Sequence, residues 1–96
     1  MSNPDRRGSA LFILNSLSID IFHLNQAIIN GDIVSPRKAK PVADRLLEAA
    51  RQDLLGIGAV DLSLDHYAAP GGFIGIMYFF KLDDEPHTGK LVPIAR

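Results

Sequence analysis

Apolar residues recur along the first third of the chain at alternating spacings of four and three: Ala10, Leu14, Leu17, Ile21, Leu24 and Ile28. That is the a/d stripe of a helix. Asn15, Ser16, His23, Gln26 and Asn30 fall on the opposite side, and Gly31 supplies a stop signal. The pattern predicts a helix over 9–30, with 1–8 as a flexible N-terminus and 9–96 as one domain. A second strip, Leu11, Phe22 and Ile29, widens the apolar face enough to touch a partner as well as a sheet. Because Ile and Phe are only fair helix formers, the competing arrangement is a strand at Ala10–Leu14 followed by a helix from about Ser18.

A connector follows, and a second stripe, Ala43, Leu46, Leu47, Ala50 and Leu54, predicts a helix over 37–55. Pro36 and Pro41 both suit its first position, and the residue before a proline avoids the α region, which argues against Lys40 in mid-helix. Gly56 suits the left-handed residue that closes such a helix.

From Ala59 the period falls to two. Val60, Leu62 and Leu64 alternate with Asp61, Ser63 and Asp65, predicting a strand over 59–67 with one wet face. Pro70-Gly71-Gly72 marks a turn. The strand predicted over 73–82 is apolar on both faces: Phe73, Met77 and Phe79 on one, Ile74, Ile76, Tyr78, Phe80 and Leu82 on the other. Asp83–Lys90 reads as a loop or hairpin turn, and 91–95 as a short edge strand because Pro93 lacks an N–H. The fold class is therefore α+β, two helices on a small antiparallel sheet of three strands. Two helices cover one face of a sheet more readily than two, so the second face of 73–82 is the expected dimer contact.

Bulk properties narrow the function. The chain has 96 residues, 47% of them hydrophobic, a formal net charge of −1 and no cysteine. Thiolate chemistry, disulfides and Cys-ligated zinc are excluded. The near-neutral charge gives no general attraction for nucleic acid, and so many apolar residues in so short a domain favour self-association. Arg6-Arg7 before Ala10–Leu14 resembles a signal sequence only superficially, since Asn15, Ser16, Ser18 and Asp20 interrupt the run. The expectation is a cytoplasmic protein without a membrane span.

Candidate chemistry is sparse. Asp83-Asp84-Glu85 with His87 is the densest set of ligand types, but its spacing fits no cation loop, and acids in a turn are usually solvated. Asp65-His66-Tyr67 puts a histidine on the inward register of its strand, as a base or, more simply, as a hydrogen-bonded rim residue. His23 lies one helical turn from Asp20, which suits a surface hydrogen bond better than a ligand role. Gly56-Ile57-Gly58 follows a helix and precedes a strand, the reverse of a dinucleotide loop. Tyr78-Phe79-Phe80 lacks the interleaved cations of a base-stacking platform. No metal site and no cofactor is expected.

Three readings result. The first is a non-catalytic interaction or regulatory module that pairs with itself as a homodimer or higher oligomer, with another protein as a further partner, through Leu14, Leu17, Ile21, Leu24, Met77 and Phe79. The second is a winged-helix-like DNA-binding domain, which requires a helix break near Ser16–Ser18 and uses Arg37, Lys38, Arg45 and Arg51; Asp44, Glu48 and Asp53 oppose it. The third is small-molecule binding at a dimer interface. Arg37, Lys38 and Lys40 form the compact basic patch available for anion or nucleic-acid contact. A pocket lined by His66, Tyr67 and Arg37 would favour a ligand, and a flat dry face the interaction module.

Overall fold

The computed structural model describes residues 4–31 and 36–93. Its elements are α1 (Pro4–Ile29), α2 (Pro36–Gly56), β1 (Val60–Ala69), β2 (Phe73–Leu82) and β3 (Glu85–Leu91). The strands form an antiparallel meander, β1-β2-β3, with both helices packed on one face. The expected α+β arrangement is present, with α1 a single unbroken helix through Ala10–Leu14 and Ser16–Ser18.

Apolar spacing on the helices builds the core. Ala10, Leu14, Leu17, Ile21 and Leu24 of α1 meet Ala39, Ala43, Leu47, Ala50 and Leu54 of α2 above Leu64, Ile74, Ile76, Phe80 and Leu82 of the sheet. Tyr78 packs against this cluster from its margin. Alternation along β2 sends its even-numbered side chains to this layer, as the period of two requires.

Boundaries differ where long-range contacts outweigh local pattern. α1 begins at Pro4, five residues before the apolar stripe predicts. Arg6 donates to Asp83 at 2.8 Å and Arg7 to Glu85, so the β2–β3 turn anchors helical turns that carry no core residue. α2 continues through Lys40 and Pro41. Proline there costs the helix one hydrogen bond, to the carbonyl four residues back, close to its start. The left-handed residue closing α2 is Gly58 (φ 94°), not Gly56. Ala59 donates to the Leu54 carbonyl and Gly58 to that of Leu55, the paired bonds of a Schellman motif.

The third strand is also corrected. It runs over Glu85–Leu91, within the segment predicted as loop, rather than over 91–95; residues 94 and 95 lie outside the described residues. The turn is only Asp83-Asp84, both at positive φ (52° and 66°), the backbone of a tight two-residue hairpin. Pro86, Thr88 and Gly89 carry little strand propensity of their own, and pairing with β2 orders them. In β1 a bulge at Asp61 (φ 53°) shifts the register. Val60 therefore pairs with Lys81 and is exposed instead of following Leu62 and Leu64 inward.

One buried polar side chain completes the sheet. Continuing the β2–β3 register brings Pro93 opposite Ile74, where a proline has no N–H to offer. Asn25 of α1, fully buried, fills the gap. Its amide nitrogen donates to the carbonyls of Ile74 (3.1 Å) and Pro93 (2.8 Å), and its oxygen accepts from the Ile74 N–H (2.9 Å).

Candidate functional site

The helices leave one face of the sheet bare. Cross-strand pairing arranges its side chains in rows: Ser63–Phe79–Thr88, Asp65–Met77–Lys90, and Tyr67 beside Gly75. The Tyr67 ring lies across Gly75, so closely that a β-carbon there would stand 2.4 Å from the ring. Lys90 covers the same ring, its Nζ 5.7 Å from the centroid. Met77 and Phe73 are half-buried; Phe79, Val60 and Val92 are exposed. A shallow depression of roughly 310 Å³ opens between Phe79 and Met77 on one side and Thr88 and Lys90 on the other.

Of the residues expected at a self-association surface, Met77 and Phe79 lie on this bare face. Leu14, Leu17, Ile21 and Leu24 do not: each is buried within the subunit's own core. The part of α1 that faces outward is the second strip, with Leu11 63% and Ile29 50% exposed, joined by Phe12 at 71% and Ile19 at 48%. By length and composition, Arg6–Ile29 is also long and apolar enough to cross a membrane. The continuity of α1 removes the break near Ser16–Ser18 on which a winged-helix arrangement depends.

A second feature lies beneath α2 at the end of the sheet, bordered toward the bare face by Tyr67 and Phe73. Arg37 and Lys40, one turn apart on α2, overhang a cleft of about 350 Å³ whose other walls are His66–Ala68 of β1 and Phe73–Ile74 of β2. His66 points to the helical layer as its register predicts, and its Nε2 lies 2.7 Å from Asp44 Oδ1. Lys38, the third member of the basic patch, is exposed on the same helical turn and does not line the cleft.

The remaining candidates resolve into structural roles. Asp83 and Glu85 pair with Arg6 and Arg7, and His87 stacks on Phe80 with centroids 5.1 Å apart. Among the described residues no group of three or more potential metal ligands converges. His23 is exposed beside the Phe22 ring. Phe80 is fully buried, Tyr78 partly so, and Phe79 faces the other way, so Tyr78-Phe79-Phe80 forms no continuous platform. Asn25 is the residue that the sequence pattern does not single out, although a polar side chain four residues after Ile21 and three before Ile28 sits on the buried flank of the stripe. Comparison with protein-family models, with curated proteins and with solved structures finds no match to this chain.

Proposed function

We propose that this chain is a small non-catalytic interaction module that acts as a homodimer, with the bare sheet face of one copy against the same face of the other. The observation that carries this reading is the uncovered apolar face of β2, with Phe73, Met77 and Phe79 flanked by Val60 and Val92. A three-stranded patch of this length measures roughly 450 Å² in plan. Its accessible area is larger, toward the ~800 Å² per partner of an ordinary stable interface.

The charges on the face favour a second copy as occupant. Asp65, Met77 and Lys90 stand in one row across the three strands. A two-fold axis parallel to the strands and passing beside Met77 stacks β1 of one copy over β3 of the other. Asp65 then meets the partner's Lys90, and Lys90 the partner's Asp65, with the two methionines between them. Isologous pairing of this kind makes each contact twice. Edge-to-edge pairing is the less favourable geometry. On β1 the Leu64 carbonyl already accepts from Arg51 at 2.8 Å, and β3 carries Pro86.

The test is solution mass by sedimentation equilibrium across 1–100 µM, about the range in which a modest interface assembles. The wild type should show a dimer and Phe79→Asp a monomer of unchanged helicity. Asp65→Lys should weaken the dimer, and Asp65→Lys with Lys90→Glu should restore it. A wild type that stays monomeric across the range ends the proposal.

A further inference from the structure

The other surface features offer less to a ligand than the cleft under α2. The groove between α1 and α2, about 110 Å³, is small for an organic ligand and is flanked by Asp20 and Asp53. The acidic β2–β3 turn has its charges matched by Arg6 and Arg7. The cleft differs in three respects. Its volume of about 350 Å³ lies within the range of small-molecule sites. Its floor is largely apolar, from Ala68, Phe73 and the buried Ile74. Its rim holds two cations that lack an acidic partner among the described residues.

Four cations of α2, Arg37, Lys38, Lys40 and Arg45, have no carboxylate within 4 Å among the described residues, and of these Arg37 and Lys40 line the cleft. Arg6, Arg7, Arg51 and Lys81 each have a carboxylate within 4 Å, and Lys90 lies over the Tyr67 ring. Arg37 and Lys40 instead project one helical turn apart above an apolar hollow. The nearby acid, Asp44, is engaged by His66. We infer that this cleft binds a small organic anion with a flat apolar body, an aromatic carboxylate, its carboxylate held by Arg37 and Lys40 and its ring on Ala68, Phe73 and Ile74.

Charge and shape together select that class. A guanidinium presents a planar fork that matches a carboxylate with two parallel hydrogen bonds, and an ammonium adds a point charge beside it. An inorganic oxyanion would satisfy the cations but leave the apolar floor wet. A nucleic-acid backbone would track onward along α2 and meet Asp44, Glu48 and Asp53, which repel it. The cleft lies at the end of the sheet, where Tyr67 and Phe73 border both it and the bare face, so the monomeric Phe79→Asp variant is used to read binding apart from self-association.

The experiment is a titration of the ¹⁵N-labelled full chain with sodium benzoate, followed by amide shifts and run in parallel on wild type and Phe79→Asp. Sodium phosphate and benzylamine at matched ionic strength are the comparison probes. The expected result is saturable movement confined to residues 37–44, 66–68 and 73–74 with benzoate. Benzylamine should produce none, and phosphate only weak, unsaturated shifts. Arg37→Ala with Lys40→Ala should weaken benzoate binding by about tenfold or more. Lys38→Ala with Arg45→Ala, which removes equal charge outside the cleft, should leave it unchanged. The inference is overturned if benzoate fails to saturate, if phosphate reproduces its shifts, if the shifts map elsewhere, or if both charge-removing pairs act alike.

Discussion

Individual residues carry more of this fold than their exposure suggests. Asn25 makes three hydrogen bonds that no apolar replacement can make, two to Ile74 and one to Pro93. Asn25→Leu strands a buried N–H and carbonyls, and a loss of about 3 kcal/mol is expected in urea unfolding. The Ile74 amide should lose most of its protection from hydrogen exchange in the same variant. Gly75→Ala is expected to destabilise by about 1–2 kcal/mol because the new methyl collides with Tyr67. In a Tyr67→Ala background that penalty should largely vanish, since the obstacle is the ring. Glu48 gives a titratable marker. Its carboxylate accepts from Gln52 at 2.9 Å and from Arg51, and both hold its pKa below the ordinary value of 4.5. A lowered carboxylate pKa adds stability that is complete above the unfolded value and fades as pH falls through the folded one. Glu48→Gln should therefore lower stability slightly at neutral pH, with wild type and variant converging as pH falls below about 4.5, so that the variant's acid limb is flatter.

At the scale of elements, the helices and the central strand were legible from periodicity, because their burial follows a local repeat. What escaped was set by partners distant in sequence. β3 holds Pro86, His87, Thr88 and Gly89, a composition that reads as loop until β2 supplies the ladder. The first turns of α1 depend on Asp83 and Glu85, and Asn25 matters only because Pro93 lacks an N–H. The same holds for the cleft. Arg37 and Lys40 were legible as one basic patch, and a pocket joining Arg37 to His66 and Tyr67 was the arrangement expected to favour a ligand, while its formation required the packing of α2 over β1. Turn chemistry offers a direct check at this scale. Asp84 sits at φ 66°, where glycine carries no β-carbon penalty. Asp84→Gly should raise stability by about 0.5 kcal/mol, read as a higher urea midpoint at constant slope, while preserving the Arg6–Asp83 pair.

For the molecule as a whole, one two-layer domain presents two distinct surfaces. One is the open sheet face, apolar at its centre and carrying Asp65 and Lys90 on opposite flanks. The other is the helical side, with a basic cleft at one end and Leu11, Phe12 and Ile19 exposed along α1. Although Tyr67 and Phe73 border both, the charged groups of the two surfaces are distinct, so their properties should separate by mutation away from those two residues. Phe79→Asp is expected to shift solution mass and not benzoate affinity, and the Arg37/Lys40 double variant the reverse. A variant at either surface that changes both would show the two layers to be coupled.

The position of β2 has a consequence beyond the folded state. Phe-Ile-Gly-Ile-Met-Tyr-Phe-Phe is a segment that, unpaired, has the composition of a fibril-forming strand. The meander places it between two more polar neighbours, so that neither of its backbone edges is free. Its protection against aggregation therefore comes from its two hairpin turns. Substitutions that loosen the Pro70–Gly72 turn or the Asp83-Asp84 turn should reduce soluble yield and refolding reversibility more than they reduce equilibrium stability.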